Sequence, residues 1–237
     1  TYYQYDTARR VVRVRYDYLS HIQTVEASYF SDGLLKSLTW KDSDDDTIMS
    51  WDYAYDGAGR VTSVTNSESE VTSFSYDIEG KLFRTQRGNG TATEYSYDEA
   101  RDWIAEIRHF APGSSTPRET KTIQRDLVGK ITEVVRTRPG ESARTTSYEY
   151  DPLYRLVSEE VGSIEKTYAY DLAGNIGEVD GVPFGTYDDA NKFLTLSLGS
   201  TTYDADGNLT TLDDESFSYD SKGKLVSRVK GTRTISY

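Results

Sequence analysis

Short stretches of alternating apolar and polar residues recur along the whole chain, and many end in an aromatic residue followed by aspartate. In Tyr53–Val61, for example, two tyrosines stand two residues apart, so both rings lie on one face of an extended strand. Val61, five residues after Asp56, opens the next apolar stretch. This period of two, interrupted by turn residues, predicts consecutive antiparallel β-hairpins and no helix.

The aromatic–aspartate frame occurs ten times, and positions in it are numbered here from the aspartate as position 0. The ten aspartates are Asp6, Asp56, Asp77, Asp98, Asp126, Asp151, Asp171, Asp188, Asp204 and Asp220. Position −1 is tyrosine in nine units and Arg125 in the tenth, and position +4 is basic in seven units. A degenerate unit is placed at residues 29–33, on Asp32. A frame repeated this often indicates a repeat protein.

Aspartate at position 0 and glycine at position +3 have the chemistry of a tight turn. The carboxylate can accept hydrogen bonds from nearby backbone amides, and glycine tolerates the positive φ of a type I turn with a bulge. The predicted structural turn residues are Asp56, Gly59, Asp77, Gly80, Asp126, Gly129, Asp171, Gly174, Asp204, Gly207, Asp220 and Gly223. Turns of a second kind are expected between units, at 66–68, 88–90, 112–114 and 139–140.

Aromatic residues at positions −3 and −1 are predicted to stand beside those of neighbouring hairpins and to form ring ladders. The predicted ladder consists of Tyr53, Tyr55, Phe74, Tyr76, Tyr95, Tyr97, Tyr148, Tyr150, Tyr168 and Tyr170. Flat rings near carboxylates are also typical of sugar-binding surfaces, so glycan stacking is the alternative role. Packing is favoured, because aromatic residues stand at both positions in seven of the ten units.

A single hairpin cannot bury its own faces, so the units must join edge to edge. About twenty strands result, and a sheet of that length is expected to curl. The sequence therefore predicts an all-β fold, one spiralling sheet over residues 1–237. From Asp56 onward the aspartate-to-aspartate spacing is 21, 21, 28, 25, 20, 17, 16 and 16 residues, so strands or connections must shorten towards the C-terminus.

Composition narrows the functional classes. The chain has 237 residues, 27 basic and 39 acidic, with a net charge of −12. No segment is basic enough to bind a phosphate backbone, which disfavours nucleic-acid binding. With no cysteine and two histidines, His21 and His109, thiol chemistry is excluded and metal or triad chemistry is disfavoured. No apolar run is long enough to span a membrane. We therefore expect no enzyme activity and no cofactor. Because the sequence begins at Thr1 and not at a methionine, we also expect it to be a piece of a longer chain.

Acidic clusters are the remaining candidates for chemistry. Residues 42–46 and 204–208 superficially resemble calcium loops, but neither has the glycine and glutamate spacing of an EF-hand. The run 42–46 is interpreted as an exposed loop, with weak cation binding as the alternative. Paired carboxylates could also form a glycosidase site, but turn closure explains ten equivalent aspartates better.

The pattern Tyr-x-Tyr-Asp-x-x-Gly-Arg-Val, complete at Tyr53–Val61 and with Asn for Arg at Tyr168–Ile176, resembles the YD repeat of the RHS family. That family includes bacterial polymorphic toxins, the C components of insecticidal toxin complexes and animal teneurins. The resemblance covers nearly the whole chain. It implies a hollow shell of β-hairpins that encloses a cargo polypeptide in toxins and acts as an extracellular scaffold in teneurins, and hence an extracellular or cell-surface location.

Family members that cleave themselves do so at Asp-Pro-x-Gly motifs. Here Asp151-Pro152 is followed by Leu153 and Tyr154, so self-cleavage is not expected. The sequence favours a non-enzymatic, exported scaffold or container wall whose partner is the rest of its parent polypeptide. The alternative is a carbohydrate-binding or adhesive module of the same fold.

Overall fold

A computed structural model describes residues 1–18, 21–196 and 199–237, and in this part of the chain all regular structure is β-strand. The all-β prediction is confirmed. The first twelve strands are β1 Tyr2–Tyr5, β2 Val11–Tyr18, β3 His21–Tyr29, β4 Leu35–Lys41, β5 Thr47–Tyr55, β6 Val61–Asn66, β7 Val71–Tyr76, β8 Leu82–Gln86, β9 Ala92–Tyr97, β10 Ile104–Phe110, β11 Pro117–Arg125 and β12 Ile131–Thr137. The next twelve are β13 Arg144–Tyr150, β14 Leu156–Val161, β15 Ile164–Tyr170, β16 Ile176–Val179, β17 Val182–Pro183, β18 Gly185–Tyr187, β19 Phe193–Leu196, β20 Gly199–Tyr203, β21 Leu209–Leu212, β22 Glu215–Tyr219, β23 Leu225–Lys230 and β24 Arg233–Ser236.

The chain divides into two compact units, residues 1–130 with 134–144 and residues 131–133 with 145–237. In the first unit, each strand from β1 to β11 pairs antiparallel with the next strand along the chain. In the second unit, β13 to β17 pair in the same order, as do β18 to β24. That residues 1–237 form a single shell segment stays a prediction.

The sheet has two chemically different faces. Across the pair β5–β6, Tyr53 lies opposite Val64 and Tyr55 opposite Val61, whereas Ala54 lies opposite Ser63. We call the side that carries positions −3 and −1 the aromatic face. On the other face, hydroxyls at positions −2 and +7 pair directly, as in Ser28–Ser37, Thr186–Thr195, Thr202–Thr211 and Ser218–Ser227. The period-two pattern of the sequence thus separates a ring-bearing side from a hydroxyl-bearing side.

Little of the sheet is buried. Among the described residues, the buried hydrophobic side chains are Ala92 and Phe110, and most ring-bearing positions are half-buried. A conventional domain core is therefore missing from this part of the chain. Contacts between neighbouring strands must supply most of the stability, as expected of repeat proteins.

Strands and connections both shorten along the chain. Strands β2 to β5 have seven to nine residues, whereas β16 to β21 have two to five. In the second unit, two-residue turns at 162–163, 180–181, 213–214 and 231–232 replace the longer connections of the first unit. The shortening expected from the aspartate spacing therefore arises from both sources.

Candidate functional site: the turn and tyrosine contacts

The aspartate at position 0 closes its own turn through three sets of hydrogen bonds. At Asp56, carboxylate Oδ1 accepts from the backbone N–H of Ala58 at 2.9 Å and of Arg60 at 3.0 Å. The Asp56 backbone N–H donates to the carbonyl of Arg60, and the Gly59 N–H donates to the carbonyl of Asp56. A register shift between Ala54 and Tyr55 accommodates the extra residue as a bulge. Carboxylates that accept from the position +4 amide recur at Asp6, Asp77, Asp126, Asp151, Asp171, Asp188, Asp204 and Asp220.

Position +3 has positive φ in nine of the ten units. Glycine supplies it at 77° in Gly59, 88° in Gly80, 97° in Gly129, 94° in Gly174, 87° in Gly207 and 74° in Gly223. Arg9, Tyr154 and Asn191 take the same conformation without being glycine, at 63°, 66° and 59°. Side chains with a Cβ are strained in this region. These three turns are therefore less relaxed than the glycine turns.

The basic residue at position +4 links its own turn to the next hairpin. Arg60 Nε donates to Asp56 Oδ2 at 2.7 Å, and its guanidinium carbon lies 4.5 Å from the ring centroid of Tyr76, which is position −1 of the following unit. The same contact with the following tyrosine joins Arg10 to Tyr29, Lys81 to Tyr97, Arg155 to Tyr170 and Lys192 to Tyr203. Cations are attracted to ring faces, so this contact holds neighbouring hairpins together. The basic residue at +4 is visible in the sequence, but its role is not.

The tyrosine at position −1 also binds the preceding hairpin through its hydroxyl. The O–H donates to the carbonyl of position +5 of the preceding unit, at 2.7 to 3.0 Å. The pairs are Tyr29–Val11, Tyr55–Leu35, Tyr76–Val61, Tyr97–Leu82, Tyr150–Ile131, Tyr170–Leu156 and Tyr187–Ile176. Arg125, which replaces tyrosine in its unit, donates instead to the carbonyl of Ile104. We call the carboxylate, the basic residue and the following tyrosine the inter-hairpin link.

These contacts correct the predicted ring ladder. The ring–ring contacts within the described chain are Phe30–Tyr55, Phe184–Phe193 and Tyr187–Phe193. None of them joins the position −1 tyrosines of neighbouring units. At Tyr76, Tyr97 and Tyr170, a cation lies over the ring face where the ladder placed another ring. Glycan stacking on these rings stays a prediction.

Two units depart from the predicted frame. In the degenerate unit, Phe30 and not Asp32 occupies position 0, since the Phe30 N–H donates to the carbonyl of Leu34 and the Gly33 N–H to that of Phe30. The Phe30 ring then packs edge-on against Tyr55. The unit at Asp98 has one extra residue: its turn closes on the carbonyl of Trp103, and β10 begins at Ile104, not at Trp103.

The turns between units resemble the aspartate turns within units more closely than the sequence predicted. At 66–70, the Asn66 side chain accepts from the N–H groups of Glu68 and Glu70, and Ser69 has a φ of 65°. The run 42–46 has the same arrangement, since Asp42 Oδ1 accepts from the N–H groups of Asp44 and Asp46. The predicted exposed loop is therefore a hairpin turn of the repeat type. Weak cation binding at 42–46 stays a prediction, and no group of three or more metal-ligating side chains occurs among the described residues.

The turn hydrogen bonds stabilise the ionised carboxylates. At Asp56, the backbone N–H and then the guanidinium of Arg60 lower the pKa of the carboxyl. At Asp171, the side chain of Asn175, which stands in for the basic residue, is the first cause of the lowered pKa. The pKa is also lowered at Asp6, Asp126, Asp151, Asp204 and Asp220. These aspartates are thus held as acceptors for turn closure.

The Asp-Pro sequence has the geometry of an ordinary repeat turn. Asp151 Oδ1 accepts from the N–H groups of Leu153 and Arg155, and Oδ2 pairs with Arg155 Nε at 2.6 Å. Tyr154 occupies position +3. Both oxygens of the carboxylate are therefore engaged in turn closure.

In residues 1–18, 21–196 and 199–237, no helix is long and apolar enough to cross a bilayer.

Comparisons with known proteins place this geometry in a family. The sequence model of the teneurin YD-shell matches residues 114–237, and that of the RHS repeat matches residues 55–88. No curated protein sequence matches the chain. The fold resembles that of the crystal structure of TcdB2-TccC3-Cdc42, with a TM-score of 0.71 and 19% identity over 90% of this chain and 12% of that one. It also resembles the Tc holotoxin pore of Photorhabdus luminescens, with a TM-score of 0.66 and 20% identity over 90% of this chain and 12% of that one.

The chain thus spans a small part of the solved structures that it resembles, and at these identities the likeness concerns the fold. The teneurin YD-shell match extends over more than half of the chain and includes the six aspartate turns from Asp126 to Asp220. The RHS-repeat match adds the unit of Asp56 and Asp77, where the inter-hairpin link is complete. The chain therefore belongs to the teneurin YD-shell family.

Proposed function

We propose that this chain is a non-enzymatic structural segment: the wall of a YD shell in an exported protein, enclosing another part of its parent polypeptide. The observation that carries the proposal is the inter-hairpin link. Its cation–tyrosine contact recurs from Arg10–Tyr29 to Lys192–Tyr203, so the signature residues of the repeat are used to join hairpins. The carboxylate is also paired with the cation at Asp6–Arg10, Asp56–Arg60 and Asp151–Arg155. A set of residues that recurs along the chain and serves one junction after another has the distribution of a building element, not of a localised active site.

The thin sheet supports the same function. A wall needs two accessible faces and strong lateral contacts, and it does not need a deep core. With Ala92 and Phe110 as the buried hydrophobic side chains of the described part, the sheet has these properties. The likeness in fold to TcdB2-TccC3 complexes supports a toxin-delivery shell, and the family match supports an extracellular or cell-surface scaffold.

A glycan-binding surface is the competing function. Stacking on a sugar requires a free ring face, and the Tyr170 ring has Arg155 over one face at 4.5 Å while its hydroxyl donates to Leu156. This engagement supports the wall. Tyr168, two residues earlier, lies on the same face with Lys166 at 5.7 Å from its ring, so it is the residue at which a sugar surface is best tested.

Measuring both stability and glycan retention distinguishes the wall from the glycan-binding surface. We expect Tyr170→Ala to lower the free energy of unfolding by about 2 kcal/mol, because a half-buried ring, a hydrogen bond and a cation contact are lost together. Tyr2→Ala, at a ring that is 66% exposed, is the matched control and should melt like the parent. The parent chain should not be retained on a glycan array. Retention by the parent that Tyr168→Ala abolishes, with an unchanged melting temperature, would reverse the choice.

Enclosure is tested in the parent protein by limited proteolysis. If these hairpins form a wall, the enclosed polypeptide should resist protease in the parent and become sensitive in the Tyr170→Ala variant at temperatures where that variant unfolds. Equal protease sensitivity of the two proteins at every temperature would argue against a container.

A further inference from the structure

A cleft of about 280 Å³ lies in the first unit, at the ends of β8 to β11 away from the position 0 turns. Its charged and polar lining includes Arg87, Thr93, His109, Arg118, Glu119 and Arg138. Thr93, His109 and Glu119 lie side by side on three neighbouring strands, as the registers of β9, β10 and β11 show. The cleft is separate from the inter-hairpin links, and none of its residues belongs to the repeat frame.

The cleft is built on the best-packed part of the described chain. Ala92 and Phe110, the two buried hydrophobic residues, also line it, and Thr93 is 2% exposed. Buried side chains hold their rotamers, so the floor of the cleft, including the Thr93 hydroxyl, is fixed in position. The side chains of Arg87, Arg118 and Arg138 are exposed at its rim.

Arginine side chains make the cleft rich in donors. Arg87 donates to the hydroxyl oxygen of Thr93 at 3.3 Å, and Thr93 Oγ1 lies 3.2 Å from His109 Nδ1, a contact in which the donor depends on the histidine tautomer. Arginine has donors only. Three arginines that line one space therefore make the site complementary to an acceptor.

The single carboxylate of the cleft is already engaged. Glu119 Oε2 accepts from Arg138 at 2.6 to 2.7 Å, and Lys121 lies 3.5 Å from Oε1. The hydrogen bond from Arg138 lowers the pKa of Glu119 and keeps it ionised. Arg118 is exposed, and no ion pair is described for it or for Arg87 within the ranges 1–18, 21–196 and 199–237. Arg138 also pairs with Glu141 at 3.9 Å, so the positive charge of the cleft comes from Arg87 and Arg118, in a chain of net charge −12.

We propose that this cleft binds a tetrahedral oxyanion, phosphate or sulfate, either free or as the terminal group of a larger molecule. Arginine forks match the oxygens of such groups and form charge-assisted hydrogen bonds with them. Three arginines that line one space offer more donors than a single carboxylate can accept. The proposal is independent of the wall function. A wall does not require an anion site, and an anion site does not require a wall.

The test is a chemical-shift titration of the 237-residue chain with inorganic phosphate at low ionic strength, followed by amide NMR. We expect saturable shifts around Thr93 and His109, and an affinity at least about tenfold weaker in Arg118→Gln, which removes one charge-assisted contact. Because Arg118 is exposed and has no described ion pair, this variant should melt like the parent. Arg233→Gln, in β24, removes an exposed arginine outside the cleft and should bind phosphate like the parent.

Further ligands distinguish the source and the chemistry of the anion. Glucose 6-phosphate or glucose 6-sulfate binding more tightly than the free anions would indicate a terminal group on a larger molecule, and equal affinities would indicate the free anion. Glucose alone should not shift these amides. The proposal is overturned if the parent shows no saturable phosphate shifts, if Arg118→Gln binds as well as Arg233→Gln, or if acetate binds as tightly as phosphate.

Discussion

The guanidinium of Arg60 lies over the ring of Tyr76, 4.5 Å from its centroid, while it is paired with Asp56 in its own turn. Two consecutive hairpins thus share one charged side chain. In Arg60→Ala, we expect a loss of about 1–2 kcal/mol, the combined size of an exposed cation–π contact and a surface ion pair. A double-mutant cycle with Tyr76→Leu, followed by urea denaturation, should give a coupling energy of about 0.5–1 kcal/mol. Strictly additive single effects would show that the ring contact contributes nothing.

The tyrosine hydroxyls of positions −1 and −3 should differ in their contribution to stability. Tyr55→Phe removes a 2.8 Å hydrogen bond to the carbonyl of Leu35 and should cost about 0.5–1.5 kcal/mol. Tyr53→Phe is the matched control on the same strand and face, because no hydrogen bond of its hydroxyl is described, and it should be close to neutral. Equal melting temperatures of the two variants would argue against the hydroxyl link.

The backbone strain of a repeat turn can be tested at Gly174, where an added Cβ would meet no neighbouring atom. Gly174 has a φ of 94°, and no atom lies within 4 Å of the position that a Cβ would take there. Gly174→Ala should therefore destabilise by about 1 kcal/mol through backbone strain alone. Gly57 is equally open but lacks a positive φ, and Gly57→Ala should be neutral or slightly stabilising. If both alanine variants behave alike in thermal melts, backbone conformation is not the cause.

Replacing a non-glycine residue at position +3 with glycine should relieve backbone strain in the Asp151 turn. Tyr154 holds the position +3 conformation with a φ of 66° and is 63% exposed. Tyr154→Gly should therefore raise the free energy of unfolding, by up to about 1 kcal/mol after the entropy cost of glycine in the unfolded chain is included. Differential scanning calorimetry checks the sign; a lower melting temperature would mean that the Tyr154 side chain contributes more than its backbone costs.

Acid should weaken the second unit through Glu215. Hydrogen bonds from Arg228 and then from Lys230 lower the pKa of this carboxyl to about 2. Since the folded-state pKa lies below the unfolded-state value, the stabilisation is complete above about pH 4.3 and disappears as the pH falls through about 2. The melting temperature of the parent should therefore exceed that of Glu215→Gln at pH 7, and the difference should shrink between about pH 4 and pH 2.

An exposed glutamate provides the control for the acid experiment. Glu68→Gln, in the turn at 66–70, removes a carboxylate that makes no described ion pair, so its melting temperature should follow that of the parent at every pH. A constant difference between the parent and Glu215→Gln down to about pH 2 would contradict the role of the ionised carboxylate.

The fold could be predicted from the sequence because it is encoded locally. Strand alternation around Tyr53 and turn chemistry at Asp56 and Gly59 involve residues within one unit, and repetition makes the pattern visible. The partner of Arg60 could not be predicted, since the contact with Tyr76 joins side chains far apart in sequence and depends on strand register. The frame position of Phe30 was missed for a related reason: backbone hydrogen bonds, not an aspartate, define that turn.

The arginine cleft could not be predicted from the sequence either. Arg87, Arg118 and Arg138 come from separate connections and strands and have no common spacing, and they meet only because antiparallel pairing returns each connection to the same end of the sheet. The overall composition is acidic and gives no sign of this local positive charge.

The inter-hairpin link also determines how such a chain can change in length. Where the link is complete, each hairpin gives a cation to the one after it and accepts a cation on its own tyrosine, so these junctions are chemically equivalent. Removing or duplicating the segment from one position 0 to the next, such as Asp56 to Asp77, would restore the same contacts at the new junction. A deletion that ends inside a unit would separate a basic residue from its tyrosine. Recombination between equivalent turns can therefore lengthen or shorten the sheet by whole hairpins without a new interface.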